Sequence, residues 1–313
     1  MRAQRSCGPA ALLLLAFTGV VQARGYVSYS YQGIDVMAGD PGYARTLAHN
    51  VHRLDEAARK LLEWDAGALL PPTHVYALHE ADFAKLVPPG RIVHRFHMVT
   101  TVASAFAIHD GENYAFVNAA AATDYSGAYF GLAGSILLSE DLHYPAWFST
   151  GFERMIAPTQ IRESKVTIGR VDPWLAKVVQ SWKLRFIPTR LLFTIRPDDP
   201  MLRDDLMQEK YTSECWLLVH LIAIEGLYKS EFKEYLRLLN SGRDPSDAFA
   251  ATFKVTYEDL DKTLRDVIDK GSIGLRTFDI PDETDSDQPH LLSAAESDSR
   301  IAKLTEAVHA NSN

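Results

Sequence analysis

Glu140 and His143, in the run Ser139-Glu140-Asp141-Leu142-His143, keep the E-x-x-H half of a zinc-binding helix motif, and a helix persisting that far would set both on one face. The pair could activate water only within a larger set, because catalytic zinc takes three protein donors and leaves one position open. Ser139 occupies the place of the first histidine, and Pro145 follows almost at once. A shifted metal site here competes with ordinary solvated helix-end residues. His79-Glu80-Ala81-Asp82-Phe83 opens like the full motif but ends in Phe where the second histidine must stand. His94 and His97 are three apart in what reads as extended chain, so they face opposite sides and cannot hold one ion jointly. Cys215 beside Trp216 reads as packed rather than reactive. The chain has no G-x-S-x-G elbow, no C-x-x-C pair and no P-loop, since Gly131-Leu132-Ala133-Gly134-Ser135 lacks the lysine of a phosphate cradle.

The elements that must position these residues follow from pattern. Leu47, Val51, Leu54, Ala58 and Leu61 recur at helical spacing and define the apolar stripe of a long helix. His49 and His52 fall off that stripe and read as solvated face residues, with surface metal capture as the sharper alternative. Tyr26 to Met37 reads as a strand, as does Thr73 to Leu78, with a short helix near 81–86. Residues 92–118 read as strands, with Asp110-Gly111 a two-residue hairpin signal. From about 124 the pattern turns helical. Trp216, Leu217, His220, Leu221 and Ile224 share an apolar face, and Thr256-x-x-Asp259 forms a capping box ahead of Leu260, Leu264 and Val267. Arg276 to Ile280 reads as a last strand, 281–289 (PDETDSDQP) as a solvated linker, and 291–310 as one further helix.

The N-terminus bounds the compartment. Two arginines, the apolar run Pro9 to Val21 and Val21-Gln22-Ala23 form a secretory signal peptide, removed near Ala23. The run is too short for a span of about 20 residues, and no later segment qualifies. Cleavage removes Cys7 and leaves Cys215 alone, so the exported domain folds without an internal disulfide. The leader carries Arg2 and Arg5 and no acid, so the formal charge moves from −8 to −10 on its removal. That balance excludes nucleic-acid binding through the phosphate backbone. The destination is the periplasm or the medium.

Residues 126–153 carry a family resemblance. Pro145-Ala146-Trp147-Phe148-Ser149-Thr150-Gly151-Phe152 resembles the P-x-W-[LF]-x-E-G-[LF]-A-E turn of the thermolysin-like (gluzincin) peptidase MA-like family of exported bacterial proteins. Glu214-Cys215-Trp216-Leu217-Leu218-Val219-His220 is similar to that family's S-W-x-L-V-H segment, and residues 242–264 are similar to its ending. In the family the turn follows an HExxH helix. The resemblance places its two histidines at Tyr129 and Ala133, its general base at Phe130 and its third ligand at Thr150. None of these can serve: residues 125–138 hold neither histidine nor carboxylate, and Tyr129 could ligate only as a phenolate, with a pKa ordinarily near 10. Shifting the register by two, to Gly131, Leu132 and Ser135, does not rescue the site.

The sequence thus predicts an α+β fold. A signal peptide (1–23) precedes an N-terminal α/β subdomain (24–122), a helical gluzincin-like subdomain with a degenerate site (123–271), and a C-terminal strand, acidic linker and helix (272–313). The leading expectation is a pseudo-metallopeptidase without metal or cofactor, binding a peptide or protein partner in the former cleft. Trp147, Trp216 and His220 are candidates to line that cleft, and equally candidates for core. The competing readings are a hydrolase using Glu140 and His143, and an interaction protein whose cleft has been filled by Phe130, Leu132 and their neighbours.

Overall fold

Among the described residues of the computed structural model, eleven strands, eleven α-helices and one 3-10 helix (Pro200–Arg203) alternate irregularly along the chain. The structure describes residues 25–63, 71–87, 92–95, 98–101, 104–119, 125–138, 142–171, 173–182, 186–196, 198–271, 273–283 and 285–310. The predicted leader, His97 and Glu140 lie outside these. The strands are β1 (Val27–Tyr31), β2 (Ile34–Ala38), β3 (Thr73–Leu78), β4 (Ile92–Arg95), β5 (Met98–Thr101), β6 (Ser104–His109), β7 (Glu112–Asn118), β8 (Gln160–Arg162), β9 (Lys165–Ile168), β10 (Arg276–Asp279) and β11 (His290–Leu291). The helices are α1 (Pro41–Leu62), α2 (Glu80–Leu86), α3 (Ser126–Leu138), α4 (Ala146–Ile156), α5 (Pro173–Trp182), α6 (Thr189–Leu192), α7 (Asp205–Ala223), α8 (Lys229–Asn240), α9 (Pro245–Thr252), α10 (Tyr257–Lys270) and α11 (Ala294–Ala310).

A six-stranded mixed sheet in the order β11-β1-β2-β3-β7-β6 organises the fold, which is α+β. The strand expected from Tyr26 to Met37 is a hairpin of β1 and β2. Gln32 and Gly33 both take positive φ, 48° and 79°. That is the geometry of a tight turn whose twist matches the flanking strands. Asp110 and Gly111 do the same between β6 and β7, at 51° and 75°.

One face of the sheet packs on α1. Asp40 caps that helix by accepting from the Tyr43 amide at 2.6 Å, and Pro41 begins it. Leu47, Val51, Leu54, Ala58 and Leu61 are all buried, as their spacing predicts. The same buried cluster continues through α3, α4 and α7, so one core crosses the expected boundary near residue 122. The other face is covered by α2 and α11, with Phe83, Phe116 and Leu304 between them.

The C-terminal segment is no appendage. β10 is not the last strand: β11 adds to the edge of β1, and α11 packs back on the sheet. The acidic stretch between them is largely exposed, as its composition requires, yet it is tied down from one face of α1. Arg45 donates to the Asp285 carbonyl, His49 Nδ1 meets Asp282 Oδ1 at 2.6 Å, and Arg53 Nε donates to the Ile280 carbonyl at 3.2 Å. Among the described residues, no helix is long and apolar enough to cross a membrane.

Candidate functional site

The segment expected to match a peptidase centre forms α3 and α4, which pack against each other. Their packing is set by glycine. Gly151 lies where α4 crosses α7, and a Cβ there would stand 2.3 Å from the Cys215 carbonyl oxygen. Only a residue without a side chain allows that backbone approach. On α3, Gly134 performs the same service against the Phe106 ring of β6, the edge strand. These contacts fix which way the four family positions face.

Tyr129 and Ala133 face inward, at 2% and 0% exposure. Leu132 between them is equally buried. The Tyr129 phenol lies beside Asn50 of α1, and burial, reinforced by the neighbouring Tyr125, holds its pKa far above the ordinary phenol value. A buried, neutral phenol is a plug rather than a ligand. Phe130, at the position of the base, is half-buried under the Arg154 guanidinium, 4.8 Å from its ring centroid. That distance is within cation–π range. Thr150 is half-buried beside Tyr211 of α7. One turn on from Thr150, Glu153 is the carboxylate that α4 does supply. Burial pushes its pKa up to about 7, opposed only weakly by Arg154. It stands beside the family's third-ligand position, not at it. Among the described residues, no group of three or more His, Cys, Asp or Glu is arranged to hold a metal ion.

The three cleft-lining candidates are interior side chains. Trp147 is fully buried in an aromatic cluster, stacked on Phe193 at 4.8 Å and edge-on to Phe148 and Phe232. Trp216 is buried against His220, and the His220 Nε2 lies 3.1 Å from the Gly169 carbonyl. Burial lowers the His220 pKa. A histidine kept neutral this way is a core residue. Cys215 is likewise wholly buried, with its thiol pKa raised by desolvation. None of the three candidates lines either cavity described below. Glu214, also buried, receives the Ile187 amide at 2.9 Å, and desolvation raises its pKa. His143 is exposed, and it is its backbone that is engaged: its amide donates to Asn240 Oδ1 at 2.7 Å and its carbonyl accepts from Asn240 Nδ2 at 3.1 Å.

Two cavities are formed by described residues at the surface. The smaller, about 400 Å³, is lined by Arg45, Thr46, His49, Asn50 and the acidic Asp282, Glu283 and Asp285. Here the expectation for His49 needs correcting. It is 7% exposed, not solvated. Its ring stacks on Tyr31 at 4.0 Å, its Nε2 lies 2.9 Å from the Tyr29 hydroxyl, and Tyr29 in turn donates to Asp285. Burial and the Asp285 carboxylate push the Tyr29 pKa up to about 12, so Tyr29 stays protonated as a donor. His52 is half-buried with its ring edge-on to Tyr31. The arrangement is a clasp on the acidic segment. His49→Ala removes two hydrogen bonds and a ring stack, and should cost about 2–3 kcal/mol in urea unfolding. A glutamyl endopeptidase should then cut within 282–287 faster than in the parent chain; an unchanged rate would show that the clasp holds nothing.

The larger cavity, about 570 Å³, opens between the end of α1, the 142–144 turn and α8. Its rim carries Lys229, Lys233 and Arg237. These residues, like Glu153, carry no motif that marks them in the sequence. With the geometry set out, comparison with known proteins adds no name: no family model matches the chain, and no curated protein or solved structure matches it.

Proposed function

We propose that this chain is an exported, non-catalytic interaction protein on a peptidase-like frame whose metal centre has been filled rather than left open. The observation that carries the reading is the inward burial of Tyr129, Leu132 and Ala133, with the Tyr129 phenol held neutral by that burial. A vacated zinc site lined by donors would strand charge or unpaired polar atoms inside the protein, at a cost of about 1–3 kcal/mol for each group. Apolar packing and a neutral phenol keep charge out of that space. The leader sequence supports export, and the P-x-W turn with its Gly151 crossing supports the family frame.

The partner class is a peptide or protein, and it meets a surface other than the α3–α4 groove, since neither described cavity is lined by α3. The hydrolase reading would have to use His143, whose ring is exposed, with Glu140. Metal analysis of purified protein, paired with a peptide-cleavage assay, tests the proposal. Near-zero zinc and no cleavage support it. Stoichiometric, tightly held zinc overturns it, and loss of a measured activity in His143→Ala would favour the hydrolase.

A further inference from the structure

The 570 Å³ cavity falls within the range of small-molecule sites, about 300–1,000 Å³. Its walls are apolar: Leu62, Tyr144, Phe148, Ile222, Phe232 and Leu236. Phe148 and Phe232 stack on each other at 4.5 Å at its base. The rim is different in kind. Lys229, Lys233 and Arg237 rise from successive turns of α8, spaced four apart so that they share one face. Among the described lining residues the acid is Glu63, which faces Lys229 and Lys233, while Arg237 pairs with Glu234 of its own helix.

Glu63 shows what this rim holds. Its carboxylate is gripped from both sides, by Lys229 Nζ at 2.7 Å and by Lys233. It belongs to the left-handed cap of α1, at φ 56°, with its side chain 55% exposed. The two ammonium groups are thus spaced to share a single carboxylate, here that of a side chain open to solvent over about half its surface, which a ligand carboxylate would displace.

From this geometry we infer that the cavity binds a single-chain anionic amphiphile, a long-chain carboxylate whose alkyl tail lies against Phe148 and Phe232 and whose head group meets Lys229 and Lys233 at the rim. The inference goes beyond the proposed function and stands independently of it, because the cavity shares no residue with the filled centre on α3. An acidic peptide would need a long open groove.

Calorimetric titration of the purified chain with octanoate, decanoate and dodecanoate, each below its micelle concentration, tests the inference. One-to-one binding should strengthen by about fourfold per added methylene, the factor expected for burying alkyl surface. Dodecanol should bind at least tenfold more weakly than dodecanoate, and dodecyltrimethylammonium more weakly still. Lys233→Glu, a surface change, should weaken dodecanoate at least tenfold with little effect on dodecanol. Leu142→Trp, on the turn beside the cavity, should block both. Failure of dodecanoate to bind would overturn the inference, as would equal affinity for all three head groups. So would binding indifferent to both substitutions in variants with unchanged unfolding temperature, or capture of an acidic amphipathic peptide that dodecanoate does not displace. A negative zinc titration leaves these outcomes untouched.

Discussion

Gly151→Ala should destabilise the protein by about 3 kcal/mol, at the upper end of overpacking costs, or prevent folding altogether. The methyl group would sit 2.3 Å from the Cys215 carbonyl oxygen and 2.6 Å from its carbon. Those are backbone atoms of α7 and have no rotamer to yield. The helices would have to separate along a crossing that also buries Phe148, Phe152 and Trp216. Ser149→Ala, on the half-buried face of the same helix, should change stability by no more than about 0.5 kcal/mol. Equal effects of the two changes in urea unfolding would mean that the α4–α7 contact is not as close as described.

Rebuilding the family's ligands in place should harm the protein without returning the ion. The triple variant Tyr129→His, Ala133→His and Thr150→Glu puts an imidazole at a position with 0% exposure and removes the buried phenol beside Asn50. Overpacking and buried, unpaired polar groups together should cost about 3–5 kcal/mol. Zinc that bound the folded form would restore stability by mass action. The expectation is no restoration: the unfolding midpoint of the variant stays the same with zinc or with chelator. A zinc-dependent rise in that midpoint would mean that α3 still borders space for an ion, contrary to the filled-centre reading.

The parts of the fold legible in the sequence are those encoded by local period and turn chemistry. Leu47 to Leu61 marked the buried stripe of α1, Asp110-Gly111 marked the β6–β7 turn, and Thr256 with Asp259 marked the start of α10, where both halves of the capping box form. The Tyr26–Met37 segment misled because Gln32 is an uncommon turn residue, and only Gly33 beside it hinted at the reversal. His49 misled for another reason: its partner Asp282 is 233 residues away, and no local pattern reports it. One signal was present. Arg45, His49 and Arg53 are spaced four apart, which puts a basic row on α1 ready for an acidic segment such as 281–287. Lys229, Lys233 and Arg237 repeat that spacing on α8, but sequence could not show that an apolar hollow lay beneath them. The aromatic pair Trp147 and Trp216 was ambiguous from sequence, since a large ring serves a core as well as a cleft. Burial decided for the core.

Zinc affinity of the chain lacking residues 1–23 tests the central claim most directly. After stripping with chelator, calorimetric titration with zinc should give no saturable one-to-one binding, and the unfolding temperature should be the same in zinc and in chelator. One zinc per chain, retained through gel filtration and raising that temperature, would contradict the account.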